Sequence, residues 1–167
     1  EEITELLIDE ERDQIPESLQ SALRQYIISG SLRLMNSNDE PLHHSMMIHI
    51  HHETRFQNPL SNFLRNKLIR RWKEFLLSSD HRLHTETKDL FREEFRKFEN
   101  ISQTGHDFET LFPFIRKFVN IGIDVELVNS TDEGSALIYP KGEHKFVIAI
   151  GGNSLSRGLT IEGLSVS

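Results

Sequence analysis

The chain contains no cysteine, which excludes disulfide bonds, thiolate metal ligands and cysteine nucleophiles. It also has no apolar run long enough to cross a membrane and no signal-peptide pattern. We therefore expect a cytoplasmic protein without a membrane partner. Positive charge is scarce as well, since 19 Lys and Arg residues face 26 Asp and Glu residues, giving a formal net charge of −7. This acidic average argues against indiscriminate nucleic-acid binding, which needs clustered cations.

Several strings that mark enzyme active sites are missing from the sequence. It has no Gly-x-x-x-x-Gly-Lys-Ser/Thr string and no acidic box after an apolar strand, so we expect no ATP hydrolysis by this chain alone. No nucleophile elbow supports Ser-His-Asp catalysis, and no Gly-x-Gly-x-x-Gly fingerprint indicates a dinucleotide site. We therefore assign no catalytic residue and no cofactor to the chain by itself.

Apolar strands alternate with amphipathic helices along the chain. Strands are predicted at 45–50, 122–128, 136–139 and 146–150, and helices at about 16–29, 59–77, 85–100 and from Asp107 onward. Strands separated by helices favour an α/β fold with a mostly parallel sheet flanked by helices. We predict an acidic leader at 1–14 and a single domain at 15–167, with a helical insertion at about 59–100.

Both ends of the sequence suggest a larger parent protein. The first residues are charged and start no recognisable element, and the last four, 164–167, alternate apolar and polar side chains as a strand does at its start. We therefore expect the domain to be truncated at its carboxyl end.

The best candidate site lies near the end of the sequence. Residues 146–150 form the continuous apolar run of a strand buried on both faces, and Gly151-Gly152 ends it. Glycines let a ligand approach the backbone, and polar side chains beyond the carboxyl end of a parallel strand supply donors. The planar guanidinium of Arg157 can donate two parallel hydrogen bonds to a phosphate. An ordinary strand-to-helix connection would show the same spacing. The predicted site residues are Gly151, Gly152, Asn153, Ser154, Ser156, Arg157, Gly158 and Thr160.

The string Ile-Gly-Gly-Asn-Ser-Leu-Ser-Arg-Gly-Leu-Thr at 150–160 resembles motif V of superfamily 2 helicases. More closely, it resembles the bacterial Z1 (Z-one) domain family, which carries an endonuclease label and is found with helicase-like and restriction or phage-defence proteins. The core at 155–160 matches that family well. The helix start at 15–19 and the strand at 45–49 fit it too, so the resemblance covers most of 15–167.

This resemblance implies a RecA-like fold, that of the second lobe of a helicase motor. The parent would be a DNA-acting ATPase that binds ATP and magnesium, with DNA, its own other domains and defence-system proteins as partners. By position, Asn153 stands where helicases place Asp, Arg157 and Gly158 stand at their Arg-Gly, and Thr160 replaces their second Asp. The resemblance implies that this segment contacts the nucleic-acid backbone and couples it to bound nucleotide.

Two other function classes remain open. Because the resembling family carries an endonuclease label, Asp124 with Glu143-His144-Lys145 is a candidate carboxylate-plus-lysine arrangement for magnesium-dependent cutting. The string Glu86-Thr87-Lys88 has the same spacing on a predicted helix, which shows how readily the pattern arises. The third class is a noncatalytic interaction domain of a defence complex, which would show neither hydrolysis nor cutting.

Two clusters of side chains are also candidates for binding. Lys67, Arg70 and Lys73 share one face of a predicted helix and could rest on phosphates, although a solvated face explains them equally well. Histidines also crowd a short segment. On a strand His49 and His51 point to the same face, and a third ligand from His81 or His84 could complete a zinc site. Hydrogen bonding at a strand end is the alternative for these crowded histidines, which are His43, His44, His49, His51 and His52.

Overall fold

A computed structural model of the protein describes residues 15–50, 54–128, 137–152 and 161–166. Within these ranges four strands form one sheet in the order β2-β3-β1-β4, and every neighbouring pair is parallel. The prediction of an α/β fold with a parallel sheet flanked by helices is confirmed. The strands are β1 (His43–His49), β2 (Asp124–Val128), β3 (Lys145–Gly151) and β4 (Leu164–Val166).

The helices occupy most of the chain between the strands. They are α1 (Glu17–Met35), α2 (Thr54–Phe63), α3 (Ile69–Leu77), α4 (His81–Ser102) and α5 (Phe108–Ile121), and a π-helical segment (Leu64–Leu68) joins α2 to α3 without a break. None of the helices in the described ranges combines the length and the apolar character that a membrane crossing requires.

Local sequence explains where two helices begin. The carboxylate of Asp80 accepts hydrogen bonds from the backbone N–H groups of Arg82 and Leu83, which starts α4. The carboxylate of Asp107 accepts one from the N–H of Thr110 at 2.8 Å, which confirms the predicted cap of α5.

Two sequence predictions of local structure are wrong. The helix expected to open at Pro59 begins at Thr54, so the proline lies inside it, and the side chain of Phe56 upstream of the proline is buried. The strand expected at 136–139 does not form over Leu137–Tyr139, where the backbone is irregular. Instead, the hydroxyl of Tyr139 lies 2.8 Å from Oγ of Ser45, so this segment is held by a side chain rather than by a ladder.

One face of the sheet carries the main core. Side chains alternate along a strand, so Phe146, Ile148 and Ile150 of β3 share this face with Met46 and Ile48 of β1. All five helices contribute buried side chains to the same cluster. The ring of Phe118 on α5 stacks on that of Phe146 with their centroids 3.9 Å apart. The stretch predicted as an insertion also belongs to this core, through Leu60, Trp72 and Phe91 among others.

Helix α1 approaches the sheet closely at Gly30. A Cβ atom at this position would lie 2.4 Å from Cε2 of Phe118 and 2.6 Å from Cδ2 of His44, both parts of fully buried rings. Only glycine therefore fits without moving α1 away from the sheet.

The opposite face of the sheet has a thinner cover. Val147 and Ala149 of β3 and Val128 of β2 are buried there beneath Leu137, Tyr139 and Ile161. We call this the second face and the helical side the first face. Small side chains on β3 let these irregular segments lie close to the strands.

A buried ion pair joins α1 to α4 on the helical side. Nε of Arg24 donates to the carboxylate of Glu94 at 3.1 Å, and both side chains are almost fully inaccessible. Ser21 and Gln25 also donate to Glu94, at 2.7 and 2.8 Å. Burial alone would raise the pKa of Glu94, but the hydrogen bonds from Gln25, Ser21 and Arg24 outweigh it and lower the pKa. Glu94 is therefore held as a carboxylate.

Candidate functional site

The predicted glycine turn lies at the carboxyl end of the central part of the sheet. Gly151 is the last residue of β3 and pairs with His49 of β1 on one side and Val128 of β2 on the other. The carbonyl of Gly151 accepts a hydrogen bond from the N–H of Ile50 at 3.1 Å. Gly151 and Gly152 are both buried. Three adjacent strands thus end together where the sequence predicts a ligand site.

The strand order reverses at this edge of the sheet. The strand that follows β1 in the chain, β2, lies beyond β3, whereas the strand that follows β3, β4, lies beyond β1. Open α/β sheets bind ligands outside the carboxyl ends of adjacent strands where the order reverses in this way, which is called the switch point. Here those ends are His49-Ile50 of β1 and Gly151-Gly152 of β3.

Two of the eight predicted site residues, Gly151 and Gly152, lie at this switch point. That they let a ligand approach the backbone stays a prediction. The other six lie outside the described residues, and their predicted roles stay predictions; they are Asn153, Ser154, Ser156, Arg157, Gly158 and Thr160.

The chain is fixed again at the opposite end of β1. The N–H of Ser45 donates to the carbonyl of Gly163 at 3.0 Å, and Oγ of Ser45 donates to the carbonyl of Glu162 at 2.6 Å. The carboxylate of Glu162 lies 2.5 Å from Nδ1 of His43. Gly152 and Gly163 therefore lie near opposite ends of a seven-residue strand, a separation of about 20 Å at roughly 3.3 Å per residue.

Gly163 is required by this second attachment. Its φ angle is +66°, and an added Cβ would lie 2.0 Å from the carbonyl oxygen of His43. We predict that Gly163→Ala detaches β4 from β1, because neither the backbone angle nor the clash can be relieved by a side-chain movement. Hydrogen exchange at the amide of Ser45 should accelerate by about tenfold or more, which corresponds to a loss of roughly 1.4 kcal/mol. Gly105→Ala is the matched glycine control, because an added Cβ at Gly105 meets no atom within 4 Å. Unchanged exchange at Ser45 in Gly163→Ala would contradict the prediction.

A neutral histidine lies buried beneath this attachment. His44 has no exposed surface, and its ring stacks on that of Tyr26 with their centroids 4.7 Å apart. Nδ1 of His44 lies 2.9 Å from the guanidinium of Arg33, which can only donate, so Nδ1 is the acceptor. Nε2 lies 3.0 Å from the carbonyl of Tyr26 and therefore carries the proton. Burial lowers the pKa of His44 to about 4, with the nearby charge of Arg33 acting in the same direction.

The candidate zinc site does not assemble in the part of the chain that the structure describes. His43 and His44 are adjacent on β1 and point to opposite faces, and His49 lies at the other end of that strand. His51 and His52 lie outside the described residues. No group of three or more His, Asp or Glu side chains in the described ranges could hold a metal ion.

The carboxylate-plus-lysine arrangement assembles in part. Nζ of Lys145 lies 2.7 Å from the carboxylate of Asp124, as the candidate pair requires, and 2.6 Å from that of Glu126. Glu143 is exposed in the turn before β3. Burial alone would lower the pKa of Lys145, but hydrogen bonds to Asp124 and Glu126 raise it. The ammonium group therefore stays charged and neutralises the carboxylates, as in an ordinary ion-pair cluster.

Three side chains that hold neighbouring segments to this end of β1 could not be found from the sequence. Arg33 reaches from α1 to His44 and to the carbonyl of His43, Tyr139 reaches Ser45, and Glu162 reaches His43. The nearest signal is Gly163, a turn residue directly after Glu162. Tyr139 and Glu162 lie 94 and 119 positions from their partners, and spacing along the chain cannot pair residues that far apart.

In the part of the chain that the structure describes, a parallel sheet with helices packed against it defines an α/β domain. The chain belongs to the Z1 domain family, whose family model matches residues 18–167. No curated protein and no solved structure gave a significant match.

Proposed function

We propose that the chain is part of a DNA-acting, helicase-like ATPase of a bacterial restriction or phage-defence system. In this proposal the segment from Gly151 to Thr160 is the element that couples nucleic acid to bound nucleotide. The parent protein binds ATP and magnesium in a separate phosphate-binding lobe, and DNA is the partner of the whole protein.

The observation that carries the proposal is the position of the Gly151-Gly152 turn. It follows a central strand that is buried from Phe146 onward, and it lies at the switch point of a parallel sheet, the place where open α/β sheets bind ligands. The sequence that continues from this turn is the one that resembles motif V. Membership of the Z1 domain family is consistent with the proposal, because the resembling family occurs with helicase-like proteins.

Arg157 gives the proposal its sharpest test. We predict that Arg157→Ala in the full-length protein lowers DNA-stimulated ATP hydrolysis by about tenfold or more, because a hydrogen bond to a charged group contributes roughly 1.5–3 kcal/mol. The rate without DNA should change much less. Arg82→Ala is the matched control, since Arg82 is an exposed arginine on α4 whose carboxylate partner is Glu86. Hydrolysis is measured with and without DNA under saturating ATP and magnesium.

Each contrary result points to a different function. Folded parent protein that binds DNA but shows no stimulated hydrolysis would reject the motor. Magnesium-dependent cutting of DNA that is lost in Lys145→Ala would favour the nuclease alternative. Neither activity, with stable binding to another protein of the system, would favour the noncatalytic interaction domain.

A further inference from the structure

A cationic surface lies on the helix that contains the π-helical segment. Lys67 and Arg70 are exposed as the sequence predicts, and the apolar side chains expected on the opposite side of the helix are buried: Leu60, Leu64, Leu68 and Trp72. Lys73 is half-buried and donates to the carbonyl of Asn120 at 3.3 Å, so it belongs less to this surface. Arg71, which the sequence prediction did not include, is exposed beside Arg70.

The π-helical segment brings these cations to solvent together. The N–H of Ile69 bonds to the carbonyl of Leu64, five residues back, so this turn contains one residue more than an α-helical turn. Leu64, Leu68 and Ile69 stay buried, and the three residues between the two leucines are all exposed. The extra residue therefore widens the solvent side of the helix. Turns of this kind occur frequently at functional sites.

The local charges leave this surface positive, although the whole chain is acidic. Arg71 has no ion-pair partner among the residues that the structure describes. Arg70 pairs with Glu74 at 2.8 Å, but both are exposed, and an exposed i,i+4 pair contributes little, so a phosphate can compete for Arg70.

Helix α4, by contrast, carries as many Asp and Glu side chains as Lys and Arg side chains. Three of its cations have carboxylate partners within 2.9 Å: Arg82 with Glu86, Lys88 with Glu109, and Arg92 with Asp89 and Glu109. The excess of positive charge on the π-interrupted helix is therefore a local property and not the average of the molecule.

We propose that Lys67, Arg70 and Arg71, which we call the basic helix surface, bind the phosphate backbone of DNA. Residues 67 to 71 span about 6 Å along a helix at roughly 1.5 Å per residue, close to two phosphate steps of one strand at about 3.4 Å each. Contacts of this kind position a protein without reading bases. The inference rests on the proposed function for its choice of DNA.

The basic helix surface is separate from the Gly151-Gly152 turn. The neighbouring Arg65 donates to the carbonyl of Val125, near the amino end of β2, whereas Gly151 pairs with Val128 at the carboxyl end. Arg65 also lines a depression with Asp124 and Glu126, so it faces carboxylates and is left out of the proposal.

The test compares two triple variants of the full-length protein that remove the same charge. One changes the basic helix surface (Lys67→Gln, Arg70→Gln, Arg71→Gln), and the control changes exposed cations of α4 (Arg82→Gln, Arg96→Gln, Lys97→Gln). Binding of fluorescein-labelled 20-mers, double- and single-stranded, is measured by anisotropy over a range of salt concentrations. Thermal unfolding verifies that both variants fold.

We expect the basic-surface variant to bind DNA about tenfold or more weakly at low salt, and the slope of log Kd against log salt to fall by about 2–3 on the duplex. The control should stay within about twofold of wild type. Four results would each overturn the inference. They are an equal loss of DNA affinity in both variants, an unchanged salt slope, no DNA binding by wild type, and binding of wild type to polyglutamate as tight as to DNA. The two proposals fail separately. If the basic-surface variant keeps its DNA affinity while Arg157→Ala loses DNA-stimulated hydrolysis, the basic helix surface alone is rejected. If the basic-surface variant loses DNA affinity while Arg157→Ala keeps stimulated hydrolysis, the coupling role of Arg157 is rejected.

Discussion

Glu94→Ala is expected to lower the free energy of unfolding by about 3 kcal/mol, because it leaves the buried guanidinium of Arg24 with one carboxylate partner, Glu17. Glu17 is mostly exposed, so its carboxylate compensates only in part for the loss of the buried one. Ser21 and Gln25 would also lose the carboxylate that accepts their hydrogen bonds. Urea unfolding at neutral pH measures the change.

Two further variants show that burial, rather than charge alone, causes this loss. Glu86→Ala breaks the exposed i,i+4 pair with Arg82 and should cost less than about 0.5 kcal/mol. The double variant Arg24→Met, Glu94→Leu removes both buried charges and should recover most of the stability, since apolar side chains of similar volume replace buried pairs well. A loss below about 1 kcal/mol in Glu94→Ala would contradict the prediction and would show that Glu17 or water satisfies Arg24 in the folded protein.

The strands and helices could be predicted because each has a local cause. The apolar run at 146–150 and the cap at Asp107 are visible in a few adjacent residues, and both are confirmed. The start of α2 was not predicted, because Pro59 is a local signal for a helix start and the burial of Phe56 upstream of it is not visible in adjacent residues. The strand expected at 136–139 was wrong because Tyr139 is held by Ser45, and no local pattern reveals such a bond.

The position of the candidate site was predictable for the same reason, since a glycine pair after a buried strand is a local signal. Its place at the switch point was not, because that depends on strand order. The Arg24–Glu94 pair was also missed, since its partners lie 70 residues apart. Neither residue has neighbours in the sequence that mark it as buried.

His44 should make the protein lose stability as the pH falls from about 6.5 to about 4. Its pKa is about 4 in the folded protein and 6.5 for an ordinary histidine, so the folded state disfavours the charged ring. The contribution of His44 to the free energy of unfolding is therefore fully present above pH 6.5. It is lost as the pH falls, because the unfolded chain binds the proton first. The whole contribution is about 3 kcal/mol at roughly 1.4 kcal/mol per pKa unit, and about 2 kcal/mol of it is lost between pH 7 and pH 5.

The effect of His44 can be separated from the titration of carboxylates and of the other histidines. In the variant His44→Gln the free energy of unfolding should vary less between pH 7 and pH 5, by about 2 kcal/mol, even if the variant is less stable at pH 7. His81→Gln, at an exposed histidine of α4, should keep the wild-type dependence. An equal slope in wild type and His44→Gln would mean that the ring already binds a proton in the folded protein.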